Sequence, residues 1–364
     1  MNAARRSLVA RLFYSCTSHP SDDTIPAMIP LYCSFIRRKD MDTVLGCLVT
    51  DSIGPGEYTE KFLKNSRETF GYEAAIALRS PYQALTIALK KIGLPPGAKI
   101  GLSPLAPLYH LSVVEDLGFI PIFVDHDPET CLPELQTAKE RGCSAIVLFE
   151  AFGMLPEKSL VQASELIVIE DMSQALGAFM AETKAGTIGN FTLYSLEQGS
   201  PVTTGGGALL FASAKRDAPI IRNIAETLPR EIALTDYNAA LGLAQLRMLE
   251  NSLERRRELE GRFQMELSRT RHRTFRQAGE GQGGSFTFPV LLASSMKDVV
   301  IHAKRNGVEA APAFGQSIIA KDDFPVGECP GAKLLALRCI LFPLHEKIAA
   351  KDANIIAKVL ATLP

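Results

Sequence analysis

At 364 residues, with 46% apolar and 22% charged side chains, the chain is long enough for two domains and a sizeable buried core. Its 39 basic against 40 acidic residues leave a formal charge of -1, which excludes the strong positive field that nucleic acid or an anionic membrane surface would require of a partner. No apolar run reaches the roughly 18–20 residues that span a bilayer; the richest, LLALRCILFPL, is interrupted by Arg338.

In chain order, the first 27 residues stand apart. Arg5, Arg6 and Arg11 are interleaved with Leu8, Val9, Leu12 and Phe13, and no acid precedes Asp22. The composition is that of an N-terminal extension, similar to a transit peptide and too charged for a secretory signal. From residue 70 onward, short β-rich runs alternate with helical stretches: AAIAL (74–78), AKIGLSP (98–104), FIPIFVD (119–125), SAIVLF (144–149), ELIVIED (165–171), FTLYSL (191–196) and GALLFA (207–212), with YQALTIALKKIG (82–93) and LYHLSVVEDLG (108–118) between them. Continuous apolar strands in alternation with helices predict a mostly parallel sheet covered on both faces. Ligand sites in such sheets gather at the carboxyl ends of the strands, and Asp171 stands at one. One long amphipathic helix is expected over 236–269, its Glu254-Arg255-Arg256-Arg257 cluster forming a solvated face. A smaller α+β region follows, with SFTFPVLL (285–292), a helix over 296–307 and a last helix from Lys351. The expected division is 1–27, 28–235 and 236–364.

The seven cysteines (Cys16, Cys33, Cys47, Cys131, Cys143, Cys329, Cys339) are odd in number and never spaced as CxxC, so neither a disulfide framework nor a zinc site is signalled. A reducing compartment, and hence a cytoplasmic location, is the expectation. Gly205–Gly207 are not followed by GK[ST] and so do not make a phosphate-binding P-loop. His110 and His126 fall near strand ends, within reach of a cavity there, but with no local partner they read as solvated or capping residues. Asp171 taken alone reads as a helix cap.

The string VIEDMSQALGA (168–178) changes that reading, because it resembles the V-E-D-A-A-Q-A-x-G-A signature of the DegT/DnrJ/StrS-type nucleotide-sugar aminotransferases. Five further segments resemble that family in the same order: SIGPGEYTEKFLKNSRETFG (52–71), ALRSPYQALTIALKKIGLPPGAKI (77–100), GFIPIFVDHDPET (118–130), TDYNAALGLAQLRMLENSLERRRE (235–258) and ALRCILFPLHEKIAAKDANII (336–356). The resemblance implies an α/β, fold-type-I architecture: a large domain with a mostly parallel seven-stranded sheet, then a smaller C-terminal α+β domain. It implies pyridoxal phosphate as cofactor, a nucleotide sugar as ligand, and a dimer. Asp171 would pair with the pyridinium nitrogen, Gln174 would contact the ring hydroxyl, and Ser195 would reach the phosphate. Ser80 and Tyr82 fall in the phosphate-binding S-G-T turn.

The departures from the family fall on the cofactor. YSLEQGSPVTTGGGALL (194–210) places Ser200 where the Schiff-base lysine belongs, and no lysine occurs between Lys184 and Lys215. A hydroxyl cannot form the imine, and Glu197 is the titratable group nearby. Pro81 lacks an amide proton, the lid aromatic falls on Pro107 or Leu108, and the partner asparagine falls near Glu231-Ile232-Ala233. The resulting expectation is a catalytically degenerate binding or regulatory subunit of nucleotide-sugar or polysaccharide synthesis. It would hold the cofactor non-covalently if at all, and would form a homodimer or pair with a lysine-bearing paralogue. The alternative is an active aminotransferase or dehydratase that uses pyridoxal or pyridoxamine phosphate at a non-standard site.

Overall fold

The computed structural model describes residues 28–51, 53–284, 286–325 and 327–364; the extension 1–27 lies outside the described residues. All seven expected strands are present: β1 (Ala75–Leu78), β2 (Lys99–Leu102), β3 (Ile120–Phe123), β4 (Ala145–Phe149), β5 (Ile167–Asp171) and, after a small hairpin of β6 (Phe179–Met180) and β7 (Thr183–Lys184), β8 (Phe191–Ser195) and β9 (Ala208–Ala212). They form one sheet in the order β1-β9-β8-β5-β4-β2-β3. β3, β2, β4, β5 and β8 run parallel, and β9 is antiparallel to both of its neighbours. Every residue of β4, β8 and β9 is buried, as expected of strands covered on both faces.

The helices follow from local chemistry. Pro81–Lys91 starts with Ser80 as N-cap, its hydroxyl accepting from the Gln83 amide, has proline in its first turn, and ends on Lys90 and Lys91. The Glu57–Phe70 helix is capped from outside: the buried Asp236 carboxylate accepts from the amides of Gly56, Tyr58 and Thr59 and from the Thr59 hydroxyl. A carboxylate there satisfies amides that have no partner within the helix.

The single helix expected over 236–269 is two, Asp236–Leu246 and Leu249–Leu267. The break redirects the apolar face. Leu243 and Leu246 pack under the large sheet, whereas Leu259, Phe263 and Leu267 belong to a separate core. That core lies on a second, antiparallel sheet, β11 (Phe288–Leu291), β13 (Cys339–Phe342) and β12 (Ala311–Pro312), whereas the two-residue β10 (Gly281–Gln282) pairs with β6. Helices Met296–Arg305 and Ala350–Ala361 complete it. Ile29 also packs in this core, bridged to Val308.

The solvated face expected at 254–257 is corrected at one residue. Arg256 is buried, its guanidinium paired with Glu346 at 3.0 Å and bonded to the Leu344 carbonyl at 2.7 Å. Helical spacing explains this, because Arg256 shares a face with Ser252, Leu253, Leu259 and Phe263, all buried.

Three backbones cross at the carboxyl edge of the sheet. A Cβ on Gly153 would lie 1.9 Å from the Gly284 nitrogen, and a Cβ on Gly284 would lie 2.2 Å from the Gln174 carbonyl oxygen. Gly153 also has φ of 71°, a left-handed conformation. Gly153→Ala is expected to lower unfolding free energy by at least about 2 kcal/mol, against about 1 kcal/mol for Gly71→Ala, where the left-handed conformation meets open space. Urea midpoints of the two variants test the difference.

Candidate functional site

Asp171 closes β5 at the carboxyl edge and is 1% exposed. Its Oδ2 accepts from the Tyr109 hydroxyl at 2.7 Å and from His110 Nε2 at 2.8 Å. Its Oδ1 accepts from the Ser173 amide at 3.0 Å and from the Ser173 hydroxyl. A carboxylate offers about four lone-pair positions, and four donors fill them. Burial alone would raise this carboxyl, but the hydrogen bonds from His110, Ser173 and Tyr109 together outweigh it and hold Asp171 below the ordinary carboxylate range. Tyr109 is pushed the other way, well above the usual phenol, by burial first and by the Asp171 charge second. It therefore remains a neutral donor.

Both donors come from the helix Leu108–Asp116, which follows β2. The segment before that helix is fastened from the C-terminal part of the chain: the Ile318 amide donates to the Ala106 carbonyl at 3.0 Å, and the Ile319 amide to Pro104 at 2.8 Å. The His110 ring meets Phe149 edge to face at 6.1 Å. Its Nδ1 has no hydrogen-bond partner among the described residues.

The remaining sequence-predicted residues are placed as follows. Gln174 accepts from the Phe152 amide at 3.1 Å and ties down the turn after β4. Ser195 ends β8, its amide donating to the Ser173 hydroxyl at 3.0 Å. Ser200 is buried; its hydroxyl donates to the Ser195 carbonyl at 2.9 Å and closes the turn after β8. Glu197 is exposed on that turn, near enough to Tyr109 for its charge to add to the rise in the phenol. Ser80 is occupied as the N-cap. The Tyr82 hydroxyl donates to Asp116 at 2.5 Å. The structure thus links Asp171 to Ser195 through Ser173, bonds Ser200 to the Ser195 carbonyl, and bonds Tyr82 to Asp116 instead.

The two histidines read as solvated or capping are both buried. His110 is on Asp171. His126 Nε2 lies 2.7 Å from the Ser103 hydroxyl and its Nδ1 lies 3.0 Å from the Cys131 carbonyl, while burial lowers the imidazole to about 4. No local pattern pointed to these partners, which are brought together by the fold. Tyr109 was missed for the same reason: its partner is 62 residues away.

On the opposite face of β5, as strand alternation requires, Glu170 is buried and accepts from the amides of Ile188 at 3.0 Å and Gly189 at 3.1 Å. Beside it Glu150 is buried too, and no donor from elsewhere among the described residues reaches its oxygens. Burial and the Glu170 charge hold Glu150 well above the usual range, and burial raises Glu170 as well.

This sheet order, with a strand-end carboxylate facing a turn closed by Ser200, is accompanied by clear likeness to known proteins. The chain belongs to the DegT/DnrJ/EryC1/StrS aminotransferase family, whose model matches residues 35–361. It is 26% identical over 358 residues to the GDP-perosamine synthase of Caulobacter vibrioides, covering 89% of this chain and 94% of that protein. It is also 26% identical to the spore coat polysaccharide biosynthesis protein SpsC of Bacillus subtilis, over 66% of this chain and 68% of that one. Among solved structures, the aminotransferase TlmJ of Streptoalloteichus hindustanus superposes with a TM-score of 0.82 at 20% identity, covering 92% of this chain and 98% of TlmJ. A protein described as a sugar aminotransferase from Streptococcus pneumoniae, solved in its PLP form, superposes at 0.84 with 18% identity, over 92% and 98% of the two chains.

Pyridoxal phosphate is the cofactor of this family, and the side chains here do not fit it. The lone pairs of Asp171 are filled from within the chain. No lysine occurs from 185 to 214. At the start of the Pro81–Lys91 helix, proline removes an amide and Ser80 is engaged with Gln83.

Asp171 is then a structural anchor. Asp171→Ala leaves the buried His110 and the half-buried Tyr109 donors unpaired and is expected to cost about 3 kcal/mol or more in cofactor-free buffer; urea unfolding checks it, and an unchanged midpoint refutes it. A pH test addresses the acid pair. Since the folded-state affinities of Glu150 and Glu170 for protons exceed the unfolded value of about 4.3, their stabilisation is complete below that pH and declines as pH rises. Glu150→Gln, which keeps a donor and has no proton to lose, is expected to flatten the decline between about pH 5 and pH 8. Parallel stability curves for wild type and variant would contradict this.

Proposed function

We propose that this chain is a non-transaminating member of its family, acting as a nucleotide-sugar-binding or regulatory subunit in nucleotide-sugar or polysaccharide synthesis. The observation that carries the reading is the turn after β8. Its Ser200 hydroxyl is spent on the Ser195 carbonyl, and the sequence offers no amine from 185 to 214. Without an amine there is neither an imine link to a carbonyl cofactor nor the base that moves the proton in transamination. The ligand class is supported by relatives named for it: GDP-perosamine synthases, and a dTDP-4-dehydro-2,3,6-trideoxy-D-glucose 4-aminotransferase of Saccharopolyspora spinosa that is 24% identical over 66% of this chain and 71% of its own.

Incubation with pyridoxal phosphate, borohydride reduction and peptide mapping tests the central point. No cavity-facing lysine is expected to carry the label, and Ser200→Lys alone is expected not to confer transamination, because Asp171 and the Pro81 turn remain as they are. A labelled lysine whose loss abolishes transamination would establish the alternative, an active enzyme with a non-standard site.

Assembly as a dimer is part of the proposal. The helix Arg38–Val49 exposes Met41, Leu45 and Leu48, each about half open, at spacings that form one stripe. Ile53 and Tyr237 are exposed as well, in two segments joined by the bond from the Asp236 amide to the Gly54 carbonyl at 3.0 Å. Contiguous apolar surface marks interaction sites, and these exposed side chains are the ones a dimer would cover. Light scattering at micromolar concentration is expected to give a dimer, either of this chain alone or in a mixture with a lysine-bearing paralogue, and Leu45→Glu is expected to weaken it. A monomer under both conditions would refute the subunit reading.

A further inference from the structure

We infer that Tyr109 and His110 form a built-in plug that takes the place of a cofactor ring against Asp171, so that this chain excludes pyridoxal phosphate through its own side chains as well as through the missing lysine. The inference rests on the reading of the chain as a non-transaminating family member, but on different atoms of the site. A pyridinium ring held by this carboxylate needs an oxygen with a free lone pair and space for a flat ring at hydrogen-bond distance. Neither exists. Oδ1 is taken twice by Ser173, and Oδ2 is taken by two aromatic rings, a phenol at 2.7 Å and an imidazole at 2.8 Å. Each ring meets the oxygen through a polar atom at its edge, as a pyridinium would. They lie against one another edge to face, centroids 4.6 Å apart and planes at 79°, which leaves no room for a third ring between them.

The plug is held from several sides. His110 is fully buried and packs on Phe149, the residue paired with Asp171 across β4 and β5. The loop that leads into the plug is clamped by the Ile318 and Ile319 amides, and by the bridge from Pro107 to Ser317. Tyr109 stays protonated beside Asp171, so it remains a donor and does not leave by charge repulsion. Displacing the plug would strand the buried His110 donor and free the half-buried Tyr109 hydroxyl, whereas leaving it in place satisfies Asp171 completely. The site is therefore complete in the ligand-free chain, and a buried carboxylate that would be costly without a partner is kept stable by the same residues that block its ancestral ligand.

The test uses 3-hydroxypyridine, which has the ring but neither aldehyde nor phosphate, so that ring binding is read apart from imine formation and from the altered phosphate turn. Calorimetric titration of the wild type is expected to show no saturable binding, and Tyr109→Ala/His110→Ala is expected to bind at least about tenfold more tightly than the wild type. Crystals of the complex should place the probe on Asp171. Tyr109→Phe, which frees one lone pair but keeps the ring, is expected to stay closed. Should the double variant fail to fold, the wild type and His110→Ala decide: a gain in His110→Ala over a non-binding wild type supports the plug. Saturable binding of 3-hydroxypyridine or pyridoxal phosphate against Asp171 in the wild type overturns it, as does a folded double variant with no gain. Borohydride-trapped label on a lysine overturns the functional reading instead, and ring binding in the wild type without such label overturns the plug alone.

Discussion

A buried carboxylate whose lone pairs are all filled organises the carboxyl edge of this protein. Asp171 lies at the end of a central strand, where a charge is tolerated only if donors replace the water it has lost. Three residues do so. Ser173 follows it in the same turn and carries the bond on to the Ser195 amide, linking β5 to β8. Tyr109 and His110 arrive from the helix after β2, on the far side of β4. Three connections of the sheet thus meet at one side chain, and the geometry of each depends on the others.

Around this centre the edge is closed by the backbone. The turns after β4 and β5 and the segment at Gly284 pass so near one another that no Cβ fits at two crossing points. The Gly284 amide donates to the Phe152 carbonyl at 2.9 Å. Phe152 in turn stacks on Phe275 at 5.5 Å and lies 5.5 Å from Phe314, so residues of the C-terminal region cover the strand ends. This close fit between the two regions does not depend on cofactor chemistry.

The two faces of β5 show how burial acts on charge in opposite ways. On one face, donors converge on Asp171 and keep it ionised. On the other, Glu170 receives only backbone amides and lies near a second buried carboxyl, so burial and the neighbouring charge hold Glu150 well above the usual range and burial raises Glu170. Burial is the same in kind on both; the supply of donors decides the protonation state.

The sequence by itself determined the sheet and its members. Continuous apolar runs such as AIVLF and ALLFA are long enough only for strands, and their alternation with capped helices leaves few topologies. It also determined what is missing, since the absence of an amine between Lys184 and Lys215 needs no coordinates. What only the tertiary structure decided is the set of long-range pairings. His110 seemed solvated and Arg256 a surface charge, because their partners, Asp171 and Glu346, are 61 and 90 residues away. Tyr109 gave no signal at all, being one aromatic residue in an apolar helix. Periodicity reports which face a side chain occupies, but which polar group it meets depends on how separate strands and helices are stacked, and that is fixed only when the whole sheet has closed.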